Sequence, residues 1–241
     1  MRLGMEIPKT HMIELSRLTD FDFAIAHRIV NDQVYRDAFT RQREEGRMIF
    51  LDNGFHEIGN SADPKILLQA QFQIAADVVI SPDRIDDMEF TKEYITWSLD
   101  HFGGRTAGVI VGEALSERLD LLDTYLELHV PYICFPYRRA RHVWIGEFDT
   151  HRPGWETYVK VHFLGMQTLE EATMCATRFP DGTFDTSKPI KWGYKGKRLD
   201  EIEMFHGAWH DYDSYLDASE QDPNQSMVTL YNIALLRKAL V

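Results

Sequence analysis

Short apolar runs alternate with longer amphipathic stretches along most of this chain of 241 residues. The short runs have the length of buried strands, and the stretches between them have the spacing of amphipathic helices. Regular alternation of the two is typical of a parallel α/β fold. We therefore predict an α/β architecture, a compact (β/α)8 TIM-like barrel that occupies residues 1–241 as a single domain.

The pattern predicts seven strands, and we expect an eighth somewhere after Lys191. The predicted strands are residues 12–15, 48–51, 77–80, 107–111, 132–135, 160–164 and 183–184. Helices are predicted at 64–75, 91–101, 116–128, 168–176 and 227–240, with N-caps at Asp63, Ser116 and Thr168 and an exposed loop at 219–225. A doubly wound open sheet is the alternative, although no glycine-rich phosphate loop follows Leu15.

Cysteine usage and the N-terminal sequence bear on the cellular compartment. Only Cys134 and Cys175 occur, without metal-like spacing, so neither a disulfide framework nor a cysteine-rich zinc site is expected. No apolar run has the length of a signal peptide or a membrane helix. We expect a soluble, cytoplasmic protein.

The net charge of −12 argues against a polyanionic partner on average, but the positive charge is clustered. Residues 188–198 (KPIKWGYKGKR) combine cations with aromatic rings, and residues 137–141 (YRRAR) form a second basic cluster. Cations hold a nucleic acid backbone and aromatic rings stack on bases. The candidate nucleic-acid-binding residues are Arg138, Lys188, Lys191, Trp192, Lys195, Lys197 and Arg198. The alternative is that both segments are solvated loops and that Trp192 and Tyr194 are packing residues.

Three aspartates follow predicted strands, each with turn residues beside it: Asp52, Asp83 and Asp185. In a barrel all strand ends open onto one face, so we expect these carboxylates to converge. Taken singly, each has a structural alternative, since Asp52 and Asp83 lie in good turn sequences and Asp185 could cap a helix. Convergence would indicate catalysis.

Carboxylates in this number suit cleavage of an N-glycosidic bond. One carboxylate can stabilise or trap the sugar at C1′, as in retaining glycosidases, and we assign this role to Asp185 beside the basic segment. A second can move a proton on the base, the role of Asp52, whose neighbours Asn53 and Gly54 let the backbone approach a planar ligand. Asp83 could accept hydrogen bonds from a purine.

Several segments resemble the tRNA-guanine transglycosylases. LDNGFHE (51–57) is similar to their D-S-G-G/A-F/Y-Q motif, and DVVISPD (77–83) is similar to D-I-V-x-x-x-D. VHFLGMQTLEEA (161–172) followed by GTFDTSKP (182–189) resembles their Y-L-M-G-V-G to F-D-x-x-x-P stretch. The resemblance implies a TIM barrel, a covalent glycosyl intermediate on Asp185, base chemistry by Asp52 and guanine recognition by Asp83. It also implies that the base stacks between His56 and Leu164.

The chain also departs from that family. The cysteines of the family's zinc site are missing, so we expect no metal and no zinc subdomain. The family's G-I-V-Q-G-G run is GVIVGE (108–113) here, with Val111 in place of the base-reading glutamine. Gly112 alone stands in place of a glycine pair, and the resemblance implies that it is a base-binding residue. A short relative without zinc is most similar to the DNA 7-deazaguanine transglycosylases of bacteriophages and bacterial DNA-modification clusters.

The resemblance implies a pentosyltransferase that exchanges guanine in DNA for a 7-deazaguanine such as preQ0. One N-glycosidic bond replaces another, so no cofactor is expected, and the partners are DNA and the 7-deazaguanine base, in a bacterial cell or a phage-infected host. No membrane partner is expected, while a homo-oligomer or accessory modification proteins are left open. The alternatives are exchange on tRNA, exchange on a free nucleoside or nucleotide, and a non-catalytic DNA-binding subunit.

Overall fold

The computed structural model describes residues 1–137, 141–166, 168–202, 215–216 and 223–241. Parallel strands form a closed barrel in the order β1-β2-β3-β4-β5-β6-β7-β8, which confirms the predicted (β/α)8 architecture. The strands are β1 Arg2–Met5, β2 Phe21–Ile25, β3 Ile49–Asp52, β4 Val78–Ile80, β5 Thr106–Val109, β6 Tyr132–Phe135, β7 Lys160–Phe163 and β8 Thr183–Asp185.

Helices follow the strands in the chain. They are α1 Met12–Leu15, α2 Ala26–Asn31, α3 Gln33–Glu44, α4 Phe55–Ile58, α5 Pro64–Ile74, α6 Met88–Phe102, α7 Leu115–Glu127, α8 Arg141–His151, α9 Leu169–Arg178, α10 Lys188–Gly193 and α11 Pro223–Ala239. Short 3-10 helices are formed by Lys9–His11, Ser16–Leu18, Gly103–Arg105, Trp155–Thr157 and Leu199–Glu201. No helix in the described part of the chain is long and apolar enough to cross a membrane.

The structure corrects the predicted start and end of the barrel. Residues 12–15 are helix α1 and not a strand, because Met12 and Leu15 are buried three positions apart, which is a helical spacing. The strands that precede β3 are β1 and β2, which the pattern missed. The eighth strand was wrongly expected after Lys191: β8 itself closes the barrel on β1, with Gly4 opposite Asp185.

The helix predictions are confirmed in type and shifted at their ends. The carboxylate of Asp63 accepts from the backbone N–H of Lys65, and the hydroxyl of Thr168 accepts from that of Glu171, so both predicted caps are present. The Ser116 cap is wrong, because α7 begins at Leu115 and the Glu117 carboxylate accepts from the N–H groups of Glu113 and Ala114. Of the predicted loop 219–225, residues 223–225 begin α11 and the others lie outside the described residues.

Contacts divide the chain into two compact units, and the prediction of a single domain stays a prediction. The first unit is Met1–Phe23 with Phe163–Val241. Its core includes Phe163, whose ring centroid lies 5.6 Å from that of Phe179 and 6.2 Å from that of Phe184. Asn232 of α11 ties the chain after β8 in place: its amide donates to the carbonyls of Pro189 and Lys197, and its Oδ1 accepts from the N–H of Leu199.

The second unit is Ala24–His162 and contains β3 to β6. Phe50 lies at the centre of an aromatic cluster, stacked on His162 at 4.8 Å between centroids and edge-on to Tyr132 at 5.7 Å. Burial, followed by the positive charge of Arg141, lowers the pKa of His162 to about 3. The imidazole is therefore neutral and acts as a core ring.

Candidate functional site

The segment directly after β3 forms two consecutive side-chain turns. Asp52 ends the strand, is 8% exposed, and accepts through Oδ2 from the N–H of Gly54 at 2.9 Å. Asn53 is 2% exposed and accepts through Oδ1 from the N–H of Phe55 at 2.9 Å. Asx turns of this kind hold the backbone in a tight bend. The predicted turn is thus present, and its hydrogen bond to Gly54 holds the Asp52 carboxylate at the end of β3.

Gly54 has a conformation that only glycine adopts without strain. Its φ is +75°, and a Cβ at this position would lie 2.8 Å from Nδ1 of His27. The close approach places His27, two residues after β2, beside the turn that carries Asp52. His27 was missed in the sequence analysis, because β2 itself was not recognised.

Asp83 lies three residues after β4 and is tied to the 53–62 loop at three points. The amide of Asn53 donates to Oδ1 of Asp83 at 2.7 Å and to the carbonyl of Ser81, also at 2.7 Å. The hydroxyl of Ser61 accepts from the backbone N–H of Asp83 at 2.8 Å and donates to its carbonyl at 2.6 Å. The structure therefore brings Asn53 and Asp83, both predicted base-binding residues, into direct contact.

The electrostatic environment of Asp83 differs from that of a surface aspartate. Its side chain is 6% exposed, and burial raises its pKa to about 6 while the hydrogen bond from Asn53 acts to lower it. The negative charge of Asp83 contributes, after burial, to raising the pKa of Tyr125 on α7. A carboxylate kept in such surroundings is common at binding and catalytic sites.

Asp185 ends β8 and is 2% exposed. Its Oδ1 accepts from the backbone N–H of Gly165, just after β7, at 3.4 Å. Ser187, and not Asp185, occupies the N-cap position of α10, and the N–H of Lys188 donates to the hydroxyl of Thr186. Asp185 is thus a buried carboxylate at the end of β8, two residues before the N-cap position of α10.

The loop after β5 carries the predicted base-binding residue Gly112. Its φ is +109°, and a Cβ would lie 2.9 Å from Cβ of Glu117. The guanidinium of Arg118 donates to the carbonyls of Gly112 and Glu113 and pairs with Glu147 at 2.7 Å. Arg118 therefore holds this loop, a role that the sequence analysis missed. Val111, beside Gly112, is buried.

The remaining predicted base-binding residues are placed only in part. Leu164 directly follows β7 and is half-buried. His56 belongs to α4, but its side chain lies outside the described part of the structure, as does the whole of Arg138. The predicted stacking of a base between His56 and Leu164 stays a prediction. So does the convergence of Asp185 with Asp52 and Asp83.

The basic segment after β8 is partly buried and partly exposed. Lys188 is half-buried, and burial lowers its pKa although the charge of Glu6 acts in the opposite direction. Lys191 is buried, and its Nζ lies 4.7 Å from the ring centroid of Tyr215. Trp192 is 8% exposed and packs within the first unit. Lys195, Lys197 and Arg198 are exposed, and Arg198 pairs with Asp200. The cations nearest to solvent are therefore those of the 195–198 turn.

Neither the protein-family models nor the curated proteins include a match to this chain. Solved structures match in fold. The putative copper homeostasis protein CutC from Streptococcus agalactiae is 11% identical with a TM-score of 0.53, over 78% of this chain and 99% of that chain. Tryptophan synthase from M. tuberculosis is 12% identical with a TM-score of 0.52, over 97% and 91%.

Tryptophan synthase subunit alpha from Legionella pneumophila is 13% identical with a TM-score of 0.51, over 99% of this chain and 92% of that chain. Similarity at such low identity is a similarity of fold, and one fold supports many activities. These matches therefore establish the TIM barrel and no particular reaction. The transglycosylase resemblance depends on the residues of this chain.

Proposed function

We propose that this protein is a DNA base transglycosylase that exchanges guanine for a 7-deazaguanine, with Asp185 as the nucleophile. The observation that carries the proposal is the buried carboxylate of Asp185 at the carboxyl end of β8. In TIM-barrel enzymes the catalytic residues lie at the carboxyl ends of the strands. Asp52, the last residue of β3, and Asp83, after β4, occupy corresponding positions on their own strands.

The proposed reaction is a double displacement at the sugar. A carboxylate oxygen of Asp185 attacks C1′ of a deoxyguanosine, the C1′–N9 bond breaks, and guanine leaves with the electron pair and takes the proton of the Asp52 carboxyl group, which becomes a carboxylate. A 7-deazaguanine then binds, and Asp52 removes the proton from its N9 as that nitrogen attacks C1′. The bond to Asp185 breaks in this second step. The covalent intermediate conserves the energy of the glycosidic bond, as in retaining glycosidases.

Recognition of the base is assigned to Asp83. A guanine or 7-deazaguanine presents two adjacent N–H donors, and a carboxylate offers about four acceptor positions in matching geometry. The target base must leave the DNA stack to reach such a group, at a cost of a few kcal/mol. Exposed Lys195 and Lys197 are candidates to hold the distorted backbone.

The test is nucleoside mass spectrometry of plasmid DNA incubated with the protein and a panel of preQ0, preQ1 and related bases. We expect a deazaguanine deoxynucleoside with the wild-type protein and none with Asp185→Asn. The matched control is Asp181→Asn, which removes an exposed carboxylate just before β8 and should retain full activity. Modification by Asp185→Asn at the wild-type rate would contradict the assignment of the nucleophile.

The same assay distinguishes the alternatives. Exchange on tRNA or on a free nucleoside, with DNA unmodified, would indicate that this molecule and not DNA is the substrate. Binding of DNA with no exchange on any of the three substrates would indicate the non-catalytic subunit. The exposed cations of the 195–198 turn favour a polymer over a free nucleoside, since a free nucleoside has no phosphate backbone for them to bind.

A further inference from the structure

The 53–62 loop is closed on itself and holds Asp83 from both of its ends. The N–H of Ala62 donates to the carbonyl of Asn53 at 2.8 Å, so the start and end of the loop lie side by side. From the start, Asn53 contacts the carboxylate of Asp83. From the end, Ser61 contacts its backbone N–H and carbonyl. Two residues of one loop therefore form hydrogen bonds to two different parts of Asp83, its carboxylate and its backbone.

Both N–H groups of the Asn53 amide and its oxygen bind local partners. Its Nδ2 has two N–H groups, one directed to the carbonyl of Ser81 and one to Oδ1 of Asp83, and its Oδ1 accepts from Phe55. Because Ser81 and Phe55 fix the plane of the amide, the donor that reaches Asp83 has a single direction. This hydrogen bond in turn fixes the orientation of the Asp83 carboxylate.

The contact occupies only part of the acceptor capacity of Asp83. Asn53 takes one of about four acceptor positions on the two carboxylate oxygens. No hydrogen bond from the described part of the chain reaches Oδ2 of Asp83. The remaining positions suit N–H donors from outside the protein.

We propose that Asn53 is a positioning residue, which orients the carboxylate of Asp83 toward a ligand with two adjacent N–H donors. The identity of that ligand as a guanine-type base rests on the proposed function, whereas the orientation of Asp83 does not. Asn53 touches neither the sugar nor the reacting nitrogen in this scheme. It acts through Asp83.

A positioning role has a consequence that packing alone does not produce. The Asn53 amide favours the charged form of Asp83 against the effect of burial, and these are the two influences that act on its pKa. Removing the donor should therefore raise the pKa of Asp83 by about one unit, the size expected for one hydrogen bond to a charged group. Tyr125 ionises at far higher pH and does not interfere.

The experiment follows the side-chain carboxyl carbon of Asp83 by NMR in protein labelled with 13C-aspartate, with Asp83→Asn used to assign the signal. The wild-type midpoint is expected at about pH 6. Asn53→Ala and Asn53→Asp should both raise it by about one unit or more. Asn53→Asp keeps an acceptor for Phe55 but replaces the donor with a second carboxyl group, so the like charge should raise the midpoint further than alanine does. It therefore tests the direct contact between the two side chains even where alanine disturbs the fold.

Ser61→Ala is the matched control, because Ser61 binds the backbone of Asp83 and not its carboxylate. We expect this variant to lose stability while the midpoint stays within a few tenths of a unit. A midpoint unchanged in both Asn53 variants, or shifted equally in Ser61→Ala, would overturn the positioning role.

A second readout separates this inference from the proposed function. Affinity for preQ0 should fall at least tenfold in Asn53→Ala and less than threefold in Ser61→Ala. If the wild-type protein binds no preQ0 but the midpoint moves as expected, the positioning role stands and the assigned base is wrong. If preQ0 binds and the midpoint does not move, the proposed function stands and the role of Asn53 falls.

Discussion

Gly193 of α10 lies directly against Thr229 of α11, so close that a Cβ on Gly193 would be 2.0 Å from the Thr229 hydroxyl oxygen and 2.7 Å from its Cα. Only hydrogen fits in this gap. The contact lies in the segment that follows Asp185, and Asn232, three residues beyond Thr229, ties the same segment to α11 through three hydrogen bonds. Helix α11 therefore supports the chain that leads from the candidate nucleophile to the exposed cations.

Gly193→Ala should destabilise the protein by about 2 kcal/mol, because the helix backbone of α11 must move to admit the methyl group. Gly146→Ala is the matched control: Gly146 lies within α8 and a Cβ there meets nothing within 4 Å. The control should stabilise by about 0.5 to 1 kcal/mol, since alanine favours a helix over glycine. Urea unfolding of both variants measures the change in stability, and a change of the same sign in both would contradict the close packing at Gly193.

Asp83→Asn should remove a pH dependence of stability. The pKa of Asp83 is raised from 3.8 to about 6 by burial, so the folded state binds the proton more tightly than the unfolded state. The contribution of Asp83 to stability is therefore fully present below pH 4 and is lost as pH rises through about 6, by about 3 kcal/mol in all. Asparagine keeps an acceptor for Asn53 and does not titrate.

Measured by urea unfolding from pH 4.5 to 8, the stability of the wild-type protein relative to Asp83→Asn should fall up to about pH 6 and be level above pH 7. A difference independent of pH would show that Asp83 titrates normally. Greater stability of Asp83→Asn at neutral pH, together with loss of preQ0 binding, would indicate that the carboxylate is kept for its ligand.

Asp52→Asn should slow base exchange at least 100-fold, as expected when a positioned proton acceptor is lost. The amide keeps an oxygen for the N–H of Gly54, so the turn should persist and the melting temperature should change little. Rapid-quench analysis of a single turnover should show the DNA–protein adduct persisting longer than in the wild-type protein. Exchange at the wild-type rate would exclude Asp52 as the base.

The double variant Lys195→Ala with Lys197→Ala should weaken DNA binding and reduce the slope of log affinity against log salt by about 2. Both side chains are exposed, so stability should be nearly unchanged. Arg41→Ala with Arg105→Ala removes two exposed positive charges that precede β3 and β5, and it is the charge-matched control. Fluorescence anisotropy at several salt concentrations measures the slopes, and equal losses in the two variants would indicate a general charge effect.

The features that could be predicted from the sequence are those that a local pattern of residues decides. Strands β3 to β8 are short apolar runs, and the caps at Asp63 and Thr168 are local hydrogen bonds, so both were predicted. Strands β1 and β2 were missed because each contains a residue that is unusual in a buried strand and is explained only by the barrel. In β1 that residue is Gly4, where the ring of Phe21 occupies the space of a side chain, and in β2 it is the buried Asp22.

Periodicity and turn residues are local properties of a chain, and they were enough to predict the class of fold and the strand-end positions of Asp52, Asp83 and Asp185. Other features depend on the packing of the folded chain: Asn53 contacts Asp83 across 30 residues, Ser61 binds the backbone of Asp83, and Trp192 is buried while Lys195 is exposed. These facts arise from parallel strands that bring distant loops together and from helix α11 packing on α10. No local spacing encodes them.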